Sequence, residues 1–519
     1  MSTRVDIVDH VVVIGAGMGG LSAAMALASD GVEVTVLDRH RAPGGKMRVV
    51  DSLAGPVDAG PTVLTMRPFL ETVFERCGTT LDAVATLRPL DLLARHHWPD
   101  GSSLDLWSDY DRSRDAVGAF AGAEAARQFA RFHDGAGALF RAFEGPMMRA
   151  AEPSALRMTG TVARRPWLVP ALSPGRSLAQ SLRARFTDPR LRQLFARYST
   201  YVGGYPNASP ALLSLIWYAE SQGVWTVEGG MHALARAMQG VAEGHGATFR
   251  LGTAATEIVH RHGRAAAVRT DRGEEIEADA VIFNGDPRAL RHGLLGEAAA
   301  GVVPEAAVAR RSLSAFVWCF AARPEGHVPE RHNVYFARDA DAEFADIERG
   351  LMPRDPTLYL HAQDRGAPDL PPGEERFEII VNGPPRPGTT PDPEEAALCR
   401  TTTFDALERM GLGFETRPPL EALTAPEDFN RMFPGTDGSL YGLAPHGMAA
   451  AFRRPRARTE MPGLYLCGGG AHPGAGIPMA AMSGLHAAEA TRKDRASTSR
   501  FRPAATRGGT ATGSRRTVN

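Results

Sequence analysis

The stretch from Val11 to Asp38 constrains this chain more than any other. It runs Val11-Val12-Val13-Ile14, then Gly15-Ala16-Gly17-Met18-Gly19-Gly20, then the alanine-rich Leu21 to Ala28, then Gly31 and Val34-Thr35-Val36-Leu37-Asp38. A β-branched run meeting a glycine turn and an alanine-rich segment reads as a buried parallel strand, a tight turn and a helix, the opening of a βαβ unit. Gly15 makes the turn, Gly17 lets the backbone approach a diphosphate, and Gly20 lets the helix lie against the strand. Gly19 belongs to the same turn, where helix N–H groups aim at the anion. Asp38 closes the second strand 18 residues after Gly20, where an acid takes the ribose hydroxyls. A bound dinucleotide is the expectation.

With 519 residues the chain exceeds one ordinary core, so two or more domains are expected. A net charge of −1 offers no basic field to nucleic acid. Cys77, Cys319, Cys399 and Cys467 lie far apart with no CxxC, which suits a reducing compartment and gives no metal signal. Met1 to His10 is polar and charged, unlike a signal peptide. The densest apolar runs, Ser314 to Phe320 and Ala211 to Trp217, fall short of the roughly 18 residues of a membrane span. A cytoplasmic protein is expected, with attachment to a membrane surface left open.

Past Asp38, Pro43-Gly44-Gly45-Lys46 offers a second set of backbone N–H groups to a diphosphate, with Arg39, Arg41 or Lys46 to screen its charge. Val57-Asp58-Ala59-Gly60-Pro61-Thr62 is another glycine turn, opening toward a helix near Pro68 to Cys77. These motifs together resemble the flavin-binding opening of the phytoene desaturase and amine oxidase superfamily. The resemblance implies FAD rather than NAD. It also implies an α/β fold: a Rossmann-type FAD-binding domain, a parallel sheet with an antiparallel insert, interleaved with an α+β substrate- and membrane-associated domain. Asp38 stands where the family usually has Glu, one methylene longer.

Composition and pattern, with the FAD-binding parts implied by the resemblance, divide the chain into six segments. Residues 1–80 begin the FAD-binding domain; residues 81–225 form a helical substrate- and membrane-associated region; residues 226–300 return to the FAD-binding domain. A substrate-domain sheet spans 301–430, the last FAD-binding segment 431–492, and an Arg-, Ser- and Thr-rich disordered tail 493–519. Ala123 to Phe143 reads as a helix with Phe129, Phe132, Leu139, Phe140 and Phe143 as core. Ser209 reads as a helix N-cap with Pro210 at the first helical position. Trp167 to Leu172, after Arg164-Arg165, reads either as a lipid-headgroup boundary or as a packed loop. By the resemblance, Glu228-Gly229-Gly230-Met231 brings the chain back near the flavin ring, and the backbone around Ala255 and Thr256 contacts adenine.

Near the end, Leu464-Tyr465-Leu466-Cys467 runs into Gly468-Gly469-Gly470-Ala471-His472-Pro473-Gly474-Ala475-Gly476-Ile477-Pro478-Met479. A strand, two glycine turns and a helix again aim N–H groups at something electron-rich, which in a flavin is the O2/N1 edge. His-Pro-Gly-Ala-Gly-Ile-Pro-Met is the most specific family motif here. Over residues 10–490 the chain most resembles the 1-hydroxycarotenoid 3,4-desaturase branch. The resemblance implies that a C3–C4 double bond is introduced by hydride transfer to FAD. The implied partners are an acyclic carotenoid, a membrane surface and oxygen or a quinone as electron acceptor, with the protein peripheral on the inner, photosynthetic membrane. It carries Gly60, Pro61, Thr62, Thr256, Gly468, Gly469, Gly476, Ile477, Pro478 and Met479 over as cofactor contacts. His472 is the candidate proton acceptor, the alternative being a hydrogen-bonded turn residue with water taking the proton. A flavin amine oxidase, a carotenoid or retinol isomerase and a non-catalytic lipid carrier share the fold. The carriers lose flavin-site glycines, whereas this chain keeps Gly15, Gly17, Gly20, Gly44, Gly45, Gly474 and Gly476.

Overall fold

The computed structural model describes residues 9–366 and 373–500. Strand β1 (His10–Ile14) lies between β2 (Glu33–Asp38) and Ala280–Phe283, all parallel. Thr248–Leu251 and Leu464–Leu466 complete this five-stranded sheet at its two edges. Three stretches distant in sequence therefore meet in one sheet. Val11, Val12 and Val13 are fully buried, as in a parallel sheet covered on both faces. Val11 and Val13 pack on one side with helix α1 (Met18–Ser29), Met231–Gly244 and the C-terminal helix Ile477–Arg500. Val12 and Ile14 pack on the other with the antiparallel insert Ala255–Arg261, Arg264–Thr270 and Glu275–Glu277.

Every residue of α1 except Ser29 is buried, so its apolar surface runs all the way round. The C-terminal helix crosses it at Gly484, where an added Cβ would stand 2.0 Å from the Gly19 carbonyl oxygen. Only a glycine there lets the two backbones touch, and the crossing brings both glycine turns to one place.

A second sheet holds seven strands in the order Leu423–Thr424, Ser314–Ala322, Glu375–Gly383, Leu358–Ala362, His332–Tyr335, Leu92–His97 and Ser103–Trp107. Phe316, Trp318, Phe377, Ile379 and Val381 pack on one face against helix Pro393–Arg409. The alternate residues Val317, Cys319, Glu378 and Ile380 turn to the opposite face, toward the nucleotide domain.

Residues 87–107 are not helical. Leu92–His97 and Ser103–Trp107 form a hairpin across the Pro99-Asp100-Gly101 turn, with Leu104 and Leu106 buried at the two-residue spacing of a strand. Helices occupy most of the chain from Tyr110 to Ser221, and Phe129, Phe132, Leu139 and Phe143 are buried there while Phe140 is half-buried. Ser209 does not cap a helix. Pro210 precedes a short 3-10 turn, Ala211–Ser214, and the Ser209 hydroxyl is buried without a hydrogen-bond partner among the described residues.

The C-terminal helix also runs past Arg492, where composition suggests that order ends. Asp494 pairs with Arg458 at 3.0 Å and accepts from the Tyr465 hydroxyl at 3.1 Å. Arg495 donates to Asp9 at 2.7 Å, next to the first strand. These contacts hold the polar extension against the sheet. Residues 501–519 of the expected tail lie outside the described residues.

Candidate active site

A cavity of about 640 Å³ opens between the two sheets. One end is built on the turn after β1. Gly15 has φ of +101°, which only glycine adopts freely, and its N–H donates to the Leu37 carbonyl at 2.7 Å. Gly15, Gly17, Met18 and Gly19 line the wall. Helix α1 has no side-chain cap and no acid in its first turn, so its orphan N–H groups and positive end are left for a ligand anion. Gly44 and Gly45 lie across from them, with the Gly44 N–H donating to the Ala16 carbonyl at 2.8 Å. The Asn284 amide donates to the Gly15 carbonyl at 3.0 Å and braces the turn from the neighbouring strand.

Asp38 lines the same end, but its carboxylate already accepts the Ala16 and His40 N–H groups, each at 2.7 Å. Burial raises its pKa against those two donors. Each oxygen retains accepting capacity for a ribose hydroxyl. Arg39 and Thr253 to Thr256 complete this end. The Thr256 hydroxyl itself turns to the Arg269 and Thr270 carbonyls of the insert.

The C-terminal glycine turn lies directly against the turn after β1, since a Cβ on Gly19 would stand 2.6 Å from the Gly468 nitrogen; Gly469, Gly470, Ala475, Gly476 and Ile477 also line the cavity, with Gly60, Pro61 and Lys46. Lys46 Nζ donates to the Leu440 carbonyl at 2.6 Å, and burial pushes its pKa down to about 8. Arg454 donates to the carbonyls of Gly469, Leu443 and Tyr441 at 2.8, 2.9 and 3.0 Å, stapling the loop around 441 to the C-terminal glycines. Burial would raise the Asp286 carboxyl, but its 2.5 Å ion pair with Arg311 holds it below the usual range. The apolar side chains Val317, Ile380, Phe429, Met432, Phe433 and Leu440 line the same cavity.

The cavity thus gathers Gly15, Gly17, Gly19, Asp38, Arg39, Gly44, Gly45, Lys46, Gly60, Pro61, Thr256, Gly468, Gly469, Gly476 and Ile477. It does not gather Gly20, Thr62, Pro478, Met479 or His472. Gly20 acts from behind: a Cβ there would stand 1.9 Å from the Gly15 carbonyl oxygen. The Thr62 hydroxyl is engaged by Tyr359 at 2.6 Å. Met479 packs on the core of the nucleotide domain, and Pro478 sits in the first turn of its helix.

His472, the candidate proton acceptor, does not line the cavity; its contacts are those of the alternative, a hydrogen-bonded turn residue. Its ring is 3% exposed and off the cavity wall, and its Nε2 lies 2.7 Å from the Ala150 carbonyl. Burial pushes its pKa down to about 4, so the neutral ring donates there. His486 stacks beside it and reaches the Arg149 carbonyl at 3.0 Å. Glu228 to Met231 likewise reach the nucleotide domain without lining the cavity. The Met231 N–H donates to Asp58 at 2.7 Å, and Glu228 pairs with Arg88 on the surface.

Asn284, Glu378, Tyr441 and Arg454 were not expected as site residues. Asn284-Gly285-Asp286-Pro287 carried a turn signature that marked the place. Glu378 sits inside an apolar strand whose facing no local pattern reveals.

The uncapped helix, the glycine cradle against it and a cavity of about 640 Å³ fit a dinucleotide joined to a ring system, as in FAD. Together they define a dinucleotide-dependent oxidoreductase. Residues 18–313 match the model of flavin containing amine oxidoreductases, and the chain belongs to that family; it is an FAD-dependent oxidoreductase. It is 53% identical over 494 residues to the hydroxyneurosporene desaturase of Cereibacter sphaeroides, covering 95% of this chain and 99% of that one. It is 43% identical to the enzyme of the same name from Rubrivivax gelatinosus, with 97% of each covered. Among solved structures, putrescine oxidase bound to putrescine shares the fold with a TM-score of 0.59 at 13% identity, covering 95% of this chain and 99% of that one.

Proposed function

We propose that this enzyme introduces the C3–C4 double bond of 1-hydroxy or 1-methoxy acyclic carotenoids while attached to a membrane surface. The lining of the cavity carries this reading. Glycine turns suited to a dinucleotide share its wall with Val317, Ile380, Phe429, Met432, Phe433 and Leu440, which suit a hydrocarbon chain. The relatives named hydroxyneurosporene desaturase supply the substrate class.

Bound FAD would supply a two-electron acceptor for the hydride leaving C4, while a water molecule would take the proton from C3 as the new double bond extends the polyene. The protein's own residues place the bond and keep bulk solvent out. Gly45 and the N-terminus of α1 would hold the diphosphate, and Asp38 would hold the ribose. Lys46 and Arg454 put positive charge beside the C-terminal glycine turn. The apolar wall aligns the polyene and excludes bulk solvent. Oxygen or a quinone would be the final electron acceptor.

Transfer of a skeleton of roughly forty carbons through water would cost tens of kcal/mol, at about 0.8 kcal/mol per CH₂. The substrate must therefore come from a bilayer, although no helix among the described residues is long and apolar enough to cross one. Leu156 and Trp167 are 82% and 68% exposed, beside the exposed Arg157, Arg164 and Arg165. Apolar side chains ringed by arginines suit the headgroup boundary of an inner membrane.

Incubation with 1-hydroxyneurosporene in liposomes tests the reading. A product lighter by two hydrogens and absorbing further to the red is expected. An unchanged mass refutes desaturation.

A further inference from the structure

Strand Glu375–Gly383 sends Phe377, Ile379 and Val381 into the apolar core and turns Glu378 and Ile380 toward the cavity. Its neighbours across the strands are Cys319 and His361, and Val317 lies on the same wall. Glu378 is 0% exposed and has no ion pair among the described residues. One oxygen, Oε1, accepts the Gly60 N–H at 2.8 Å; the other, Oε2, has no partner among the described residues. An unpaired buried carboxyl is a burden to folding that an apolar residue would avoid.

We propose that Glu378 reads the oxygen substituent of the substrate, donating a hydrogen bond from its carboxyl to the hydroxyl or ether oxygen on C1. This rests on the carotenoid reading above. Burial, with Asp58 nearby, raises the Glu378 carboxyl well above its ordinary value against the opposing pull of the Gly60 N–H and the Arg48 cation, which favours the neutral acid. Because the Gly60 N–H occupies Oε1 as acceptor, the proton falls on Oε2, the oxygen left free. A neutral acid serves both substrate types, since alcohol and ether oxygens both accept. A carboxylate would pair with the alcohol alone.

The placement also matches the chemistry. C1 lies two bonds from C3, so the group that recognises its oxygen must stand close to the reacting bond. Glu378 meets this through Gly60, whose turn lines the cavity together with Lys46 and the C-terminal glycines. With Glu378 holding the oxygen, the C3–C4 bond is presented in one register. A polyene without the oxygen can slide along the apolar wall and leaves Oε2 unpaired.

The test compares FAD-loaded wild type, Glu378→Gln and Glu378→Met on 1-hydroxyneurosporene and on neurosporene, which lacks the hydroxyl, in liposomes. Wild type is expected to favour the hydroxylated polyene in kcat/KM. The Met variant should lose that preference by a factor on the order of a hundredfold, with unchanged flavin content. The Gln variant keeps an N–H donor and an acceptor for Gly60, and should stay within roughly tenfold of wild type. An infrared difference spectrum of wild type should show a protonated carboxyl band that shifts with the hydroxylated polyene only and is missing in Glu378→Gln. This measurement decides the matter even if the Met variant does not fold. Retained preference in Glu378→Met, an equal loss on both polyenes, or no carboxyl band shift overturns the assignment. Wild type that desaturates both polyenes equally overturns Glu378 alone, whereas wild type that acts on neither overturns the carotenoid reading with it.

Discussion

Replacing Gly20 with alanine should cost this enzyme its flavin. The added Cβ would stand 1.9 Å from the Gly15 carbonyl oxygen, whereas real Cβ atoms do not come within 3.0 Å, so α1 must withdraw by about 1.1 Å. Backbone sits on both sides of the clash, so no side chain can rotate away. A withdrawal of that size stretches an N–H···O contact from about 2.9 Å to about 4 Å, beyond a hydrogen bond. Charge-assisted bonds are worth roughly 1.5 kcal/mol or more each, so losing two from the diphosphate weakens FAD binding by about 3 kcal/mol, on the order of a hundredfold. Overpacking removes a further 1–3 kcal/mol or so of fold stability. Flavin fluorescence titration of the apoprotein reads the first effect and the urea midpoint reads the second. Gly240→Ala is the control, because a Cβ there has nothing within 4 Å; helix propensity predicts a slight stabilisation. FAD affinity in Gly20→Ala within threefold of wild type would refute the argument that this glycine sets the distance between helix and turn.

Asp58→Ala leaves the Met231 N–H without its 2.7 Å acceptor at a buried helix start, and should lower the urea midpoint by an amount equivalent to about 2 kcal/mol. Burial pushes His332 down to about 3 and His472 to about 4, so the folded state refuses protons that the unfolded chain binds below about pH 6.5. Stability should therefore be highest above that pH and fall as pH drops toward 4, with at most about 2 kcal/mol lost from each ring by pH 5; urea melts at pH 5 and 7.5 check this. Trp167→Asp combined with Leu156→Asp should reduce liposome binding at least tenfold while flavin content stays constant, as a co-sedimentation assay would show. His472→Gln keeps a donor for Ala150 and should leave kcat within about tenfold of wild type; a collapse in kcat with a shifted pH profile would restore a proton-transfer role.

Local signals made the nucleotide half legible. Gly15, Gly17, Gly20 and Asp38 were readable because a turn, a helix start and a strand end each depend on a few neighbouring residues, and the Gly468 to Met479 run marked its own turn and helix in the same way. Where a side chain faces across the fold was not legible. His472 lies in the most specific motif, yet it faces Ala150, 322 positions earlier, and not the cavity. Leu92–His97 passed for part of a helical region because its strand partners, His332–Tyr335 and Ser103–Trp107, lie partly far along the chain.

By itself the sequence determined that a glycine turn joins the first strand to its helix and that a second glycine turn opens the last helix, since backbone conformation and spacing are written into adjacent residues. Only the tertiary structure decided that the two turns share one cavity, that Gly484 lets the last helix press on Gly19, and that Glu378 lines the same cavity as the glycines. Those outcomes depend on sheet register and on contacts between residues hundreds of positions apart, which cooperative packing of the whole chain sets.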